Sequence, residues 1–258
     1  MLVTVVVPVK DEKFRFEKET KSSAYNHSYT WLVVDDGSKE PHPDSFVRHS
    51  ESIGYGASLK HGISLSETDW IVTMDGDGQH ELEDVLRLLD FVERFPEVDM
   101  VIGDRRVKET SLSRYFGRKF LNITASLFAW RWIPDLNSGL RIFRKKTALG
   151  YFPILCDGFS FTTSLTLSML ADGYKVDWLP IRVKPRAHGL SKVNKWKDGW
   201  VTLKYILWIG CALRTRWIRS VLRNMKQFIF CYFFILPILI CAGFLAWITG
   251  KFDEPMDK

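Results

Sequence analysis

Two carboxylates separated by one glycine, Asp75-Gly76-Asp77, follow directly on the apolar run Ile71-Val72-Thr73-Met74 and lead into Gly78-Gln79-His80. Hard oxygen ligands at the end of a buried strand suit a divalent cation, and the carboxyl edge of an open α/β sheet is where such folds bind their ligands. The chemistry implied is a cation holding a phosphorylated substrate. A calcium loop of the EF-hand kind does not fit. Begun at Asp75, it would need glycine at its sixth position and glutamate at its twelfth, where this chain has His80 and Leu86. An isolated Asp-Gly-Asp is more often an ordinary polar turn, so the meaning of the pair depends on the elements around it.

Those elements read as alternating strands and helices. Leu2 to Val7, Trp31 to Val34 and Trp70 to Met74 are apolar runs that end in polar residues, and Met100 to Gly103 is a fourth. Strands separated by helical segments predict a parallel sheet with crossover helices. Gly54 to Ile63 reads as a loop entering a helix. Glu81 to Phe95 has apolar residues at helical spacing and is closed by Pro96. Leu112 to Trp132 is helical too, either a core helix or one lying on a membrane surface. A helix over Phe161 to Asp172 lies between strands at Leu140 to Phe143 and Val176 to Val183.

At 258 residues and 46% hydrophobic content the chain can bury a full core, which excludes a disordered protein. Its net charge of +6 concentrates after Pro185, where basic residues from Arg186 to Lys226 are opposed by Asp198 alone and interleaved with Trp196, Trp200, Trp208 and Trp217. Basic and tryptophan-rich helical segments suit an anionic membrane surface. Because the charge adjoins an apolar run instead of striping a soluble domain, no nucleic-acid partner is expected. That run, Phe228 to Thr249, carries no charge and is long enough to span a bilayer. Basic residues before it place the large domain on the cytoplasmic side of a single-pass cell-membrane protein. The expected organisation is a catalytic domain over 1–195, juxtamembrane helices over 196–226, a transmembrane helix over 227–250 and a tail over 251–258. Cys156, Cys211, Cys231 and Cys241 show no paired spacing, so neither a disulfide framework nor structural zinc is expected.

Seven short motifs occur in one order: Pro8-Val9-Lys10-Asp11-Glu12, Val33-Val34-Asp35-Asp36-Gly37-Ser38, Gly54-Tyr55-Gly56, Asp75 to His80, Gly103-Asp104-Arg105, Ser138-Gly139-Leu140-Arg141 and His188-Gly189-Leu190-Ser191-Lys192. In this order and approximate spacing, over residues 2 to 195, the chain resembles the polyprenyl-phosphate glycosyltransferases. These are dolichol-phosphate mannose synthases and their bacterial relatives, in family two of the inverting glycosyltransferases. The resemblance implies an α/β fold of the GT-A, Rossmann-like kind, followed by interfacial amphipathic helices and one C-terminal transmembrane helix.

By motif position, the resemblance assigns Pro8, Lys10, Glu12, Val34 and Asp36 to the nucleoside of a UDP- or GDP-sugar. It assigns Asp75, Gly76, Asp77, Arg186 and Lys192 to the sugar diphosphate. Asp75, Asp77 and Gln79 would face Mg²⁺ or Mn²⁺. Arg105 and Arg118 would meet the acceptor phosphate, and Asp77, Arg105 and Lys192 would carry catalysis. Three departures from the family pattern stand out: Lys10-Asp11 where Tyr-Asn is usual, glycine at both 76 and 78, and Asp104 before Arg105. The two glycines are expected to make the acidic loop flexible.

An absence bears on the acceptor. Relatives that glycosylate hydroxyls commonly carry a carboxylate base in the segment that is here Gly158 to Ser164, which has hydroxyl residues and no acid. A phosphate monoester, with second pKa near ~6, is already ionised and needs no base. The expected acceptor is therefore a polyprenyl phosphate. Two alternatives stand beside it: transfer to a glycolipid or polysaccharide hydroxyl, and a catalytically silent nucleotide-sugar-binding membrane scaffold. A homo-oligomer is left open. His61, His80 and His188 are read as ordinary hydrogen-bonding residues without catalytic roles.

Overall fold

A computed structural model describes residues 1–12, 28–105, 112–184 and 197–212. Strand β1 (Leu2–Val9) is apolar on both sides because both faces of the sheet are covered. Val3, Val5, Val7 and Val9 pack with Val85, Leu88 and Leu89 of helix α2 (Leu82–Arg94). Val6, on the opposite face, joins Leu59 and Ile63 of α1 (Tyr55–Leu65). Each such fully buried side chain contributes on the order of 1.5–3 kcal/mol. Gly62 brings α1 close to the sheet: a Cβ there would lie 2.4 Å from Val6 Cγ1.

The remaining strands are β2 (Ser28–Asp35), β3 (Val47–Arg48), β4 (Trp70–Thr73), β5 (Met100–Arg105), β6 (Arg141–Arg144) and β7 (Val176–Ile181). The described strands form one sheet in the order β3-β2-β1-β4-β6-β5-β7. Helices α3 (Leu112–Ala129), α4 (Lys145–Tyr151) and α5 (Phe161–Ala171) complete the set, with a further helix, α6, over 197–212. The ladder between β1 and β4 ends at Val6↔Thr73. Pro8 therefore sits where β1 has a sheet neighbour on one side only, a position at which a missing N–H is tolerated.

The expected all-parallel sheet is corrected on one point: β6 runs antiparallel to both β4 and β5. Asp135, on the loop that leads into β6, pairs with Arg105 at the end of β5, so the chain re-enters the sheet from that same edge and must run backwards. An apolar run of four residues does not encode its own direction. Thr73 fixes the re-entry by donating from Oγ1 to Gly139 O at 2.8 Å.

Helix α5 is buried on every side although it carries Thr162, Thr163, Ser164, Thr166 and Ser168. Its hydroxyls turn back on the backbone, with Thr166 Oγ1 donating to Thr162 O at 2.8 Å and Ser164 Oγ to Phe161 O at 2.9 Å. The chain divides into a unit Met1–Cys211 and a second unit Ala212–Lys258. Arg186, His188 and Lys192, the expected membrane span at 227–250 and the tail at 251–258 lie outside the described residues. Among the described residues, no helix is long and apolar enough to cross a membrane.

Candidate active site

The acidic loop leaves β4 at the carboxyl edge, between the ends of β1 and β6. Gly76 packs against β1, and a Cβ at that position would lie 2.6 Å from Val9 Cγ1 and 3.1 Å from Pro8 O. The expected flexibility is thus replaced at Gly76 by close packing. Gly78 has φ 74, a left-handed conformation suited to glycine. Asp77 is buried and accepts from Gln79 N at 3.1 Å, closing a tight aspartate turn. Gln79 is tied to the end of the sheet: its Nε2 donates to Lys184 O at 3.2 Å, and Lys184 N returns a bond to Gln79 O at 3.0 Å.

Asp75 is held from three sides. Tyr55 donates from its hydroxyl to Oδ1 at 2.8 Å, and the buried His80 places Nε2 3.9 Å from Oδ2. Beneath it, Gly139 leaves room that a Cβ would take, since that atom would sit 2.2 Å from Oδ1. Burial alone would raise the pKa of Asp75, but His80, Tyr55 and the charge of Arg105 outweigh it and hold the pKa at about 2. Burial and the neighbouring Asp75 push the Tyr55 hydroxyl well above its usual range, so it stays a donor. Tyr55 in turn stacks on Phe159, with centroids 5.4 Å apart.

Arg105, at the end of β5, forks onto Asp135, with Nε 2.8 Å from Oδ2 and Nη2 3.1 Å from Oδ1. Its Nη1 makes no hydrogen bond to a described residue. Asp135 is buried, which would raise its pKa, but Arg105 and the charge of Arg118 on α3 bring it below the ordinary value. Burial works against the charge on Arg105, and Asp135 overcomes it, so the guanidinium is more firmly protonated than usual. The structure thus gathers Arg105 and Arg118 around one carboxylate absent from the sequence-based site. The signal available for Asp135 was an acid in a loop just before the Ser138 to Arg141 motif. Arg141, in that motif, is fully buried and binds the carbonyls of Ser138 and Thr162 and the hydroxyl of Thr166. It is the brace between the loop and α5.

On the nucleoside side of the edge, Pro8 pairs in register with Val34, both in the sheet. Lys10 and Glu12 follow on the loop after β1, which is stitched to the next motif by Asp11 N donating to Ser38 Oγ at 2.9 Å. Asp35 is a structural carboxylate, accepting from Ser38 N at 2.9 Å and His42 N at 3.0 Å. Asp36 closes the approach to α1: it accepts from Ser52 Oγ at 2.7 Å, Ile53 N at 2.8 Å and Gly54 N at 3.1 Å. Burial opposes ionisation of Asp36, and those donors together with His49 outweigh it, lowering its pKa. His49 extends the network, its Nε2 lying 2.8 Å from His61 Nδ1.

Among the described residues no group of three or more His, Cys, Asp or Glu is placed to hold a metal ion by itself. The donor set still fits a hard cation. Mg²⁺ typically takes one or two carboxylates and completes its shell with substrate oxygens and water. Asp77 and Asp75 are such a pair, on a loop that tight packing holds in place.

A family model described as "Glycosyl transferase family 2" matches residues 4–152, from β1 to the end of α4. The chain belongs to glycosyl transferase family 2. It is a glycosyltransferase, and its sheet edge with the acidic loop is the family's mixed α/β, GT-A-like architecture. It is 28% identical over 212 residues to the undecaprenyl-phosphate mannosyltransferase of Micrococcus luteus, covering 73% of this chain and 85% of that one. To the polyprenol monophosphomannose synthase of Mycolicibacterium smegmatis it is 28% identical over 192 residues, 63% of this chain and 69% of the relative. A crystal structure of glucosyl-3-phosphoglycerate synthase from Mycobacterium tuberculosis, in complex with Mn²⁺, UDP and phosphoglyceric acid, shares the fold. It superposes with a TM-score of 0.61 at 15% identity, covering 81% of this chain and 78% of that chain.

Proposed function

We propose that this glycosyltransferase moves a sugar from a UDP- or GDP-sugar to a polyprenyl phosphate at the cytoplasmic face of the cell membrane, with inversion at the anomeric carbon and with Mg²⁺ or Mn²⁺ at the acidic loop. One observation carries the reading. At a single sheet edge, the carboxylate of Asp75, with Asp77 two residues on in the same loop, lies within reach of the charge of Arg105, whose partner Asp135 also feels the charge of Arg118. The acids suit a diphosphate held through a cation, and the guanidinium groups suit a second phosphate. The names of the Micrococcus and Mycolicibacterium relatives support a lipid-phosphate acceptor, and the Mn²⁺ of the mycobacterial structure supports the metal.

Within this mechanism Pro8, Lys10, Glu12 and Val34 form the nucleoside wall, and Asp36 sets the loop that closes it. Asp75, Asp77 and Gln79 present oxygens to the cation, while Gly76 lets that loop lie against β1. A bound cation neutralises charge on the departing diphosphate. Arg105, through Nη1, and Arg118 orient the acceptor phosphate, and Arg186 and Lys192 neutralise phosphate oxygens of the donor. One acceptor oxygen forms a bond to the anomeric carbon as the bond from that carbon to the diphosphate breaks, and the electron pair leaves with the nucleoside diphosphate. The acceptor monoester is ionised at neutral pH, so no residue has to take its proton.

The uncharged run from Phe228 to Thr249, preceded by basic residues, supports a single membrane span with the catalytic unit in the cytoplasm. Detergent-solubilised protein, incubated with Mn²⁺, a polyprenyl phosphate and a panel of UDP- and GDP-sugars, tests the reading. A sugar-linked lipid from one donor is expected, and none from any donor would sink it.

Asp157 favours a second reading. This carboxylate immediately precedes the Gly158 to Ser164 segment, is mostly exposed and pairs with Lys60 at 2.7 Å. As a general base it would serve a hydroxyl acceptor. Loss of activity in Asp157→Asn together with transfer to a lipid or polysaccharide hydroxyl would move the assignment there.

A further inference from the structure

The loop between α3 and β6 forms neither helix nor strand, so its buried peptide groups have to be met by side chains. Ile133 and Leu136 anchor it in an apolar cluster with Ala125 of α3, Leu167 of α5 and Ile206 and Ile209 of α6. That cluster covers one face of α3, while Phe120 and Leu127 of the same helix stay exposed. Between the two apolar anchors stand Pro134 and Asp135, and polar side chains from two elements hold them.

Asn122 of α3 serves both flanks of Asp135. Its Nδ2 donates to Pro134 O at 2.6 Å, and its Oδ1 accepts from Leu136 N at 3.4 Å. A carbonyl and an N–H require opposite ends of the amide, so these two partners fix its orientation. Asparagine is a poor residue for a helix interior, and this one is buried, a cost that only its bonds to the loop offset. Ser126, one turn further along α3, accepts from Ile133 N at 2.9 Å. From β7, Trp178 Nε1 donates to Asp135 O at 2.9 Å. The Trp178 ring is itself held: the guanidinium of Arg131 lies over it, 5.2 Å from the centroid, and pairs with Asp177 at 2.6 Å.

We propose that Asn122 and Trp178 are positioning residues for the acceptor phosphate: they fix the main chain at Asp135, and through its carboxylate they fix the direction in which Arg105 presents Nη1. The link is stiff at each step. Both oxygens of Asp135 take part in the fork with Arg105, and Oδ1 also accepts from Asn137 N at 3.1 Å. Asn137 is tied in turn to α5, where Thr163 Oγ1 donates to its Oδ1 at 2.6 Å. A two-bond fork sets the plane of a guanidinium as well as its distance. With Nε and Nη2 committed, a shift of the Asp135 peptide carries Nη1 with it, and small misplacements of a binding group are costly. The inference rests on the proposed function for what Arg105 binds, whereas the tethering is read without catalysis.

Trp178→Phe removes the Nε1 donor and keeps an aromatic ring beneath Arg131, and Asn122→Ser removes both amide bonds. Tyr151→Phe, which loses a hydroxyl bond to Asp172 outside this loop, is the control. Detergent-solubilised full-length proteins are assayed with Mn²⁺, a polyprenyl phosphate and the sugar donor that the wild type uses. Acceptor KM should rise on the order of tenfold in Trp178→Phe and Asn122→Ser, with donor KM unchanged and neither constant altered in the control. The Arg105 Nε–H signal, identified in a ¹H–¹⁵N spectrum by its loss in Arg105→Lys, should move in both variants and stay in place in the control. An acceptor KM within about twofold of wild type, a donor KM that rises as much as the acceptor KM, or an unmoved Arg105 signal overturns the proposal. So does a control that shifts the signal equally. If the wild type forms no glycolipid from any donor, the proposed function fails, and the Arg105 signal alone decides the tether: displaced in both variants it stands, unmoved it falls.

Discussion

The carboxylate of Asp75 lies directly over the Cα of Gly139, so that a Cβ on residue 139 would be 2.2 Å from Oδ1 and 2.4 Å from Cγ. A glycine from the loop before β6 thereby sets the position of an acid that follows β4. Gly139→Ala has to displace Asp75 or the loop. A stability loss of about 1–3 kcal/mol is expected, read by urea denaturation. Turnover should fall further than that loss explains, because the carboxylate itself moves.

Tyr55→Phe removes the hydroxyl that donates to Asp75 Oδ1 and keeps the ring on Phe159. Asp75 has its pKa depressed from 3.8 to about 2, so its charge contributes stability above about pH 4, and that contribution fades as pH falls towards 2. The contribution is of order 2 kcal/mol. In Tyr55→Phe the pKa should rise towards 3.8, and stability should decrease at neutral pH while the variants converge in acid. Denaturation midpoints across pH 2 to 7 measure both ends. A uniform loss at every pH would show that Tyr55 acts by packing alone.

Arg105→Ala strands the buried Asp135 carboxylate, and breaking a buried pair in this way costs about 3–5 kcal/mol. Asp135→Asn should cost less, since Arg105 at the open edge can recruit water. In the double variant Arg105→Met with Asp135→Leu, stability should recover in large part while transfer to the acceptor does not. A double-mutant cycle in stability, run beside acceptor KM, separates the structural part of Arg105 from its part in binding.

Asp77→Asn keeps an oxygen to accept from Gln79 N and so should leave the fold nearly unchanged by circular dichroism and denaturation. Removing the charge should lower metal-dependent turnover by roughly 10²-fold or more. Titration with Mn²⁺ at fixed donor should show weakened metal dependence in the variant. Normal turnover in a folded Asp77→Asn protein would exclude the acidic loop as the cation's seat.

The alternation of apolar runs and helical segments was sufficient for a mixed α/β fold, because burial on one or two faces writes itself into local periodicity. Strands β1, β2, β4, β5, β6 and β7 and helices α1, α2 and α5 fall where that patterning puts them, to within about three residues at their ends, whereas the short β3 and α4 were not read from it. Direction was not legible: the four apolar residues of β6 look the same in a parallel or an antiparallel ladder. The glycines were misjudged for a related reason. Glycine suggests freedom when only its neighbours in sequence are known, whereas Gly76 is there because Val9 and Pro8 lie against it.

From the sequence by itself follow the acidic pair at the end of a strand, the ordered motifs that belong to glycosyltransferases, and the concentration of basic and aromatic residues towards the carboxyl end. All three depend on residue type and short spacing. Only the tertiary structure decides which distant side chains meet. Asp135 neutralises Arg105, Tyr55 and Gly139 orient Asp75, and Asp36 spends its oxygens on the loop before α1. It likewise decides which face of α3 is covered by α6 and which stays open. Hydrogen bonds and ion pairs act over a few ångströms, and chain separation carries no information about which groups the fold will bring that close.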